Sequence, residues 1–163
     1  MPPQLSNTAV VSRIALAQLV DLRLAEAQAL FDAGHYVGCV YLAGYAVECA
    51  LKDAICSTLN WDQLKSTFKT HDLELLVAHS GLDPQLQDNA AVRDSFSQIR
   101  GMWVVIDNSE KGRKPQLSIR YRTAEEEPPI DVESARLFLK WANDPVIGVI
   151  PWLRNETSRR RSE

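Results

Sequence analysis

Residues 35–59 read HYVGCVYLAGYAVECALKDAICSTL, a segment with apolar side chains on every turn of a helical pattern. It is also rich in small residues, namely Gly38, Cys39, Ala43, Gly44, Ala46, Cys49, Ala50 and Ala54. A glycine inside a helix costs about 1 kcal/mol relative to alanine. We therefore predict one long helix here, in which the small residues admit the close approach of another helix or of a ligand.

The segments on either side of this helix predict further helices. Residues 8–32 repeat apolar side chains at spacings of three and four, and Gly34 is placed to take the left-handed conformation that ends a helix. Because the link to the next helix is so short, the two helices are expected to be antiparallel neighbours. Three more helices are predicted at 72–79, from 84 or 85 to 105, and at 132–142, with N-caps at Thr70 and Asp131.

Together these elements predict an all-α fold, an up-and-down bundle of four to five helices. Residues 1–145 are expected to form this single domain. Residues 146–163 are expected to add a short apolar segment that packs back on the bundle, followed by a disordered Arg-rich tail from residue 154. Residues 107–129 are predicted to form a loop, and so long a loop in a compact domain is often functional.

Composition excludes several classes of function. The chain has 163 residues, 45% of them hydrophobic, and a net charge of −3, which argues against a protein that coats nucleic acid by bulk charge. Its three cysteines form no CxxC pair and are expected to be buried, reduced thiols in a cytoplasmic protein. No signal peptide, membrane span, metal site or phosphate-binding glycine loop is predicted, and no cofactor is expected.

Three motifs in the same order resemble a known family. Residues 25–52 read AEAQALFDAGHYVGCVYLAGYAVECALK, and residues 70–73 read THDL. Arg120-Tyr121 follows the helix predicted from residue 84 or 85 to 105, downstream of a tryptophan. This combination is similar to the HEPN superfamily, the "higher eukaryotes and prokaryotes nucleotide-binding" helical domains, whose members share an Ala-x-Glu-x-x-Leu-Lys motif. The resemblance covers residues 16–142.

The resemblance implies a helical bundle that commonly dimerises. It also implies a role in one of three settings: a toxin–antitoxin pair with a minimal nucleotidyltransferase, phage defence, or RNA cleavage. Nuclease members carry an arginine followed after four to six residues by a histidine, and this sequence has no such pair. The nuclease activity is therefore not carried over. The residues that do match the family are Glu48, Lys52, His71, Asp72, Arg120 and Tyr121.

One candidate site is a stripe on the helix at 35–59. Its members are spaced at four, three and four residues and are Tyr41, Tyr45, Glu48 and Lys52. The tyrosines would stack on bases and Lys52 would pair with a phosphate of a nucleotide or RNA. The alternative is an ion pair between Glu48 and Lys52 beside packed tyrosines, or a buried Glu48 that holds the loop around His71.

The other candidate sites are a histidine and a basic segment. His71 has the chemistry of an acid or base near pH 7, or it anchors the short helix together with Asp72 by hydrogen bonds. The predicted loop adds candidate nucleotide- or RNA-binding residues, which are Arg113, Lys114, Arg120, Tyr121 and Arg122. A solvated loop balanced by the acidic residues 125–127 is the alternative.

Three hypotheses for function follow. The first is a non-nuclease HEPN-type module, a cytoplasmic homodimer in a prokaryotic toxin–antitoxin or defence setting, which binds a nucleotide, an RNA or a partner such as a minimal nucleotidyltransferase. The second is a metal-independent endoribonuclease toxin, in which His71 and Arg120 form a composite active site. The third is a structural subunit for dimerisation or assembly, whose seam is the small-residue helix.

Overall fold

A computed structural model describes residues 10–103, 119 and 129–162 of the chain. This part is built from seven α-helices and one short 3₁₀ turn at Ser66–Phe68, which confirms the predicted all-α bundle. The helices are α1 (Arg13–Asp32), α2 (Tyr36–Thr58), α3 (Leu73–Ser80), α4 (Asp83–Asp88), α5 (Ala90–Trp103), α6 (Val132–Asn143) and α7 (Val149–Arg161). None of the helices described is both long enough and apolar enough to cross a membrane.

The hairpin of α1 and α2 follows from local signals at its ends. The Ser12 hydroxyl accepts a hydrogen bond from the backbone N–H of Ala15 and caps α1. Gly34 has a φ of 79°, the left-handed conformation that was predicted from its position. α2 lies at the centre of the bundle and packs against α1, α3, α5, α6 and α7. Its side chains are buried over most of its length, and its three cysteines are free and buried as predicted.

The glycines of α2 admit intramolecular neighbours. A methyl group on Gly44 would overlap the indole ring of Trp103, whose Nε1–H donates to the backbone oxygen of Tyr41 at 3.0 Å. A methyl group on Gly38 would lie 3.1 Å from Cδ1 of Leu30. The close approach that the small residues predict is therefore made within this chain, by α5 and α1.

Replacement of Gly44 by alanine is expected to destabilise the fold. The new methyl group must displace Trp103, and overpacking of a core typically costs about 1–3 kcal/mol. Gly101, an exposed glycine in α5 with open space around it, is the matched control. Gly101→Ala is expected to raise stability by about 0.5–1 kcal/mol. Urea unfolding of the two variants measures both effects, and equal stabilities would contradict the packing argument.

The region of α3 to α5 differs from the sequence-based prediction at two points. Asp72, and not Thr70, caps α3, because its carboxylate accepts from the N–H of Leu75 at 3.1 Å. The single helix predicted from residue 84 or 85 to 105 is two helices, broken at Asn89. The Asn89 side chain accepts from the N–H of Val92 at 3.2 Å and caps α5. An asparagine in the middle of an apolar repeat here starts a new helix.

The C-terminal segment is the largest correction. α7 is helical through Arg161, so the expectation of a disordered tail from residue 154 is wrong, and the bundle extends beyond residue 145. Its apolar residues are buried, including Trp152 and Leu153. Arg160 donates to the backbone oxygens of Ser80 and Gly81 at the C-terminal end of α3. The apolar part of the segment packs on the bundle as predicted.

Candidate functional site

The candidate site is centred on Glu48, a carboxylate with no exposed surface in the middle of α2. Two basic side chains surround it. The Nζ of Lys52, one turn further along α2, lies 2.6 Å from Oε1 of Glu48. The Nδ1 of His71 lies 2.9 Å from Oε2 and 3.1 Å from Oε1. Burial of an unpaired carboxylate is very costly, so both partners contribute to keeping the charge of Glu48 in the core.

His71 joins the buried charge to the surface. Its side chain is 52% exposed, whereas those of Glu48 and Lys52 are 1% and 9% exposed. Because an ionised carboxylate only accepts hydrogen bonds, the bond to Glu48 assigns the proton to Nδ1 of His71. The Nε2 atom is then left for a hydrogen bond to another molecule. The predicted alternative, in which a buried Glu48 holds the loop around His71, is confirmed.

The segment that carries His71 is fixed by its neighbours. The N–H of Asp72 donates to the Thr70 hydroxyl at 3.1 Å, and the Asp72 carboxylate caps α3. On the N-terminal side, Phe68 packs edge-on against His79 at 5.0 Å between ring centres. The predicted anchoring role of Asp72 is therefore confirmed. Ordered contacts of Phe68 before His71 and of Asp72 after it fix the position of His71 in the chain.

Tyr41 and Tyr45 are half-buried and lie on α2 before Glu48. The guanidinium carbon of Arg23, on α1, lies 5.6 Å from the ring centre of Tyr45, and Arg23 is bonded to Glu26. Burial, with the nearby Cys49 and Glu48, raises the pKa of the Tyr45 hydroxyl. The sequence analysis does not identify Arg23 as part of the site. The signal that could have pointed to it is its i,i+3 spacing from Glu26 on the polar side of α1.

The structure brings together only part of the predicted site. Tyr41, Tyr45, Glu48 and Lys52 share one side of α2, and His71 joins them through Glu48. The alternative of an ion pair between Glu48 and Lys52 is confirmed, and it holds the ammonium group that was expected to bind a phosphate against Glu48, with the Lys52 side chain buried. The remaining predicted residues, which are Arg113, Lys114, Arg120, Tyr121 and Arg122, lie outside the described residues.

The three thiols of α2 are buried, and burial raises their pKa values. Burial is the main cause that raises the pKa of Cys49 to about 11, with the charge of Glu48 as a further cause. Burial likewise raises the pKa of Cys39 to about 11. Within residues 10–103, 119 and 129–162, no group of three or more histidine, cysteine or acidic side chains could hold a metal ion.

The buried thiols predict a simple chemical result. A thiol reacts as its thiolate, so a raised pKa leaves Cys39 and Cys49 protonated at pH 8. In the native protein, a disulfide reagent at pH 8 is expected to modify all three cysteines only slowly. In urea the same reagent is expected to modify them at the rate of free thiols. Fast modification of the native protein would show that α2 is accessible.

The comparisons with known proteins add no relative. No family profile, curated protein or solved structure matches the chain.

Proposed function

We propose that this chain is a HEPN-type helical binding module without nuclease activity, which binds a nucleotide or an RNA at the surface formed by Tyr41, Tyr45 and His71. The observation that carries the proposal is the bond between His71 and the buried Glu48. This bond holds the half-exposed imidazole of His71 in one orientation and leaves its Nε2 atom for a ligand. Buried ionic groups often cost stability, so their presence favours a role in recognition.

The charges of the cluster favour a phosphate as ligand. Glu48 and Lys52 form a neutral pair, so an imidazolium form of His71 would give the three residues a net positive charge. The Nε2–H of a protonated His71 would then donate to a phosphate oxygen. Tyr45, with the cation of Arg23 beside its ring, offers an aromatic surface for a base.

The biological setting of the proposal comes from the family resemblance. A HEPN-type module of this kind would act as a homodimer in the cytoplasm of a prokaryote, in a toxin–antitoxin pair or in phage defence. Its protein partner would be a minimal nucleotidyltransferase or a protein of similar role. Light scattering of the purified chain tests the dimer, and a monomer at tens of micromolar would contradict it.

Binding assays on two histidine variants test the proposed site. The wild type would be titrated with ATP, with a cyclic nucleotide and with a short RNA. His71→Ala is expected to weaken binding by about tenfold or more, which corresponds to about 1.4 kcal/mol. His35→Ala is the control, because His35 is exposed and its side chain makes no capping bond. Absence of binding by the wild type, or equal binding by both variants, would overturn the proposal.

A composite ribonuclease is the second candidate function. The observation that favours it is that a carboxylate orients His71, as is common for a general acid or base. Incubation with total RNA and with tRNA would test it. Cleavage by the wild type that is abolished in both His71→Ala and Arg120→Ala would replace the non-nuclease proposal by this one. A dimer that binds neither nucleotide nor RNA would instead support a purely structural subunit.

A further inference from the structure

Two open grooves adjoin each other on a part of the surface that the candidate site does not use. One, of about 760 Å³, runs along the loop between α2 and α3 and includes Trp61 and Lys65 in its lining. The other, of about 780 Å³, lies where the start of α1 meets α7, and Arg161 is part of its lining. Asp62 and Gln63 line both grooves, so the two form one continuous surface feature. Each groove has the volume of a small-molecule site.

The backbone of the loop is fixed to the bundle. The N–H of Arg13 donates to the oxygen of Asp62 at 2.9 Å, and the N–H of Leu64 donates to the oxygen of Val11 at 2.9 Å. The Leu64 side chain is buried in the core. A ligand in the grooves would therefore meet a preformed surface, and binding would cost little ordering of the loop.

Basic side chains outnumber acidic ones in the two grooves. Among the described residues that line them, the basic ones are Arg13, Lys65, Lys69, Arg154 and Arg161, and the acidic ones are Asp53 and Asp62. The positive charge is local, since the whole chain has a net charge of −3. The combined surface thus favours an anion.

Ion pairs reduce this charge only in part. Arg13 is bonded to Asp53 at 3.1 Å, and Arg154 is bonded to Asp21 at 2.8 Å. Arg161 donates from Nε to the neutral hydroxyl of Ser57 at 2.9 Å. Within the described part of the chain, no carboxylate pairs with Arg161 or with Lys65. Lys65 in the first groove and Arg161 in the second are therefore cations without a paired carboxylate in the described residues.

The aromatic ring in the first groove is the second element of the site. Trp61 packs against Phe68 at 5.6 Å between ring centres, which fixes the indole in place. The Nζ of Lys65 lies over the Trp61 ring, 4.1 Å from its centre. A nucleobase can take that place by stacking, and the displaced ammonium group then reaches a phosphate of the same strand.

We propose that the joined grooves bind a single strand of nucleic acid. A base stacks on Trp61, and the sugar–phosphate backbone runs past Asp62 towards Arg161. Cations in both grooves suit an extended polyanion, whereas one free phosphate would occupy only one end. None of the residues that line the two grooves belongs to the candidate site around His71, so this proposal does not rest on the function proposed above.

Fluorescence anisotropy with labelled strands of about 12 nucleotides tests the proposal, since such strands match the site sizes of single-strand-binding grooves. RNA and DNA strands of the same sequence form two arms, and a duplex forms a third. Lys65→Gln combined with Arg161→Gln is expected to weaken strand binding by about tenfold. Each lost phosphate contact should reduce the slope of log K against log salt by about 0.7.

The controls separate the grooves from bulk charge. Arg136→Gln combined with Arg159→Gln removes the same charge from exposed positions outside the grooves and is expected to leave binding within about twofold. Asp62→Asn is expected to strengthen binding, because it removes the carboxylate that both grooves share. Thermal melts of each variant check that the fold is retained.

Three outcomes would overturn the proposal: equal weakening by the two double variants, equal binding of duplex and single strand, or no strand binding at all. Binding of the RNA arm alone, or of both single strands, supports it. The Lys65 and Arg161 variants should leave ATP binding at the His71 surface unchanged. Failure of the grooves and failure of the His71 site are therefore distinguishable.

Discussion

Removal of residues 146–163 is expected to leave a chain that does not fold. α7 buries four apolar side chains, which are Val149, Ile150, Trp152 and Leu153. Full burial of such a side chain contributes about 1.5–3 kcal/mol, and a domain of this size is stable by only about 5–15 kcal/mol in total. The expected result is an insoluble or molten protein, detected by loss of near-ultraviolet circular dichroism and of a cooperative melt.

Point substitutions in the same segment give the quantitative form of this prediction. Leu153 is buried against the bundle, and Leu153→Ala is expected to cost about 2–5 kcal/mol through lost burial and a cavity. Val146 is 80% exposed just before α7, and Val146→Ala is the matched control, with an expected change within about 0.5 kcal/mol. Urea unfolding measures both. A soluble, cooperatively folding truncation at residue 145 would contradict the assignment of α7 to the core.

The parts of the fold that the sequence predicts correctly are those with local signals. Gly34 ends α1 because its backbone takes a positive φ, and Asp131 begins α6 because its carboxylate accepts from the N–H of Ser134. Both signals lie within three residues of the helix end that they define. The pattern of apolar residues then identifies the buried helices, because it depends only on the helical period.

The errors have long-range causes. The segment 154–161 is polar, with three consecutive arginines, and by composition it resembles a solvated tail. It is helical because Arg160 meets the carbonyl end of α3, about eighty residues earlier in the chain, and because Trp152 and Leu153 precede it in the core. The composition and periodicity of the segment itself cannot predict these contacts, because the partner residues lie far away in the sequence.

In the candidate site, too, the sequence predicts the local contact correctly and leaves the long-range contacts undecided. The bond between Glu48 and Lys52 follows from their i,i+4 spacing, so the sequence predicts it. The bond from His71 to Glu48 spans 23 residues, and only the fold decides between it and the alternatives. The contact of Arg23 with Tyr45 crosses from α1 to α2 and depends on the rotation of the two helices about their axes.

Replacement of Glu48 by methionine alone is expected to destabilise the protein by about 3–5 kcal/mol. The substitution leaves the ammonium group of Lys52 buried without its carboxylate, and breaking a buried pair from one side typically costs this much. Asp21→Asn is the matched control, because Asp21 forms an exposed ion pair with Arg154 and such pairs contribute about 0–1 kcal/mol. Urea unfolding at neutral pH compares the two.

The double variant Glu48→Met with Lys52→Met separates stability from function. Replacing both charges by apolar side chains of similar volume is often neutral or stabilising, so most of the lost stability is expected to return. If the cluster served only the fold, the double variant would also bind nucleotide or RNA as the wild type does. We expect it to bind about tenfold more weakly or worse, because His71 has then lost the carboxylate that orients its ring and fixes the proton on Nδ1. A stable double variant with unchanged binding would show that the cluster serves only the fold. A stable double variant with lost binding would show that the pair of Glu48 and Lys52 positions His71 for the ligand.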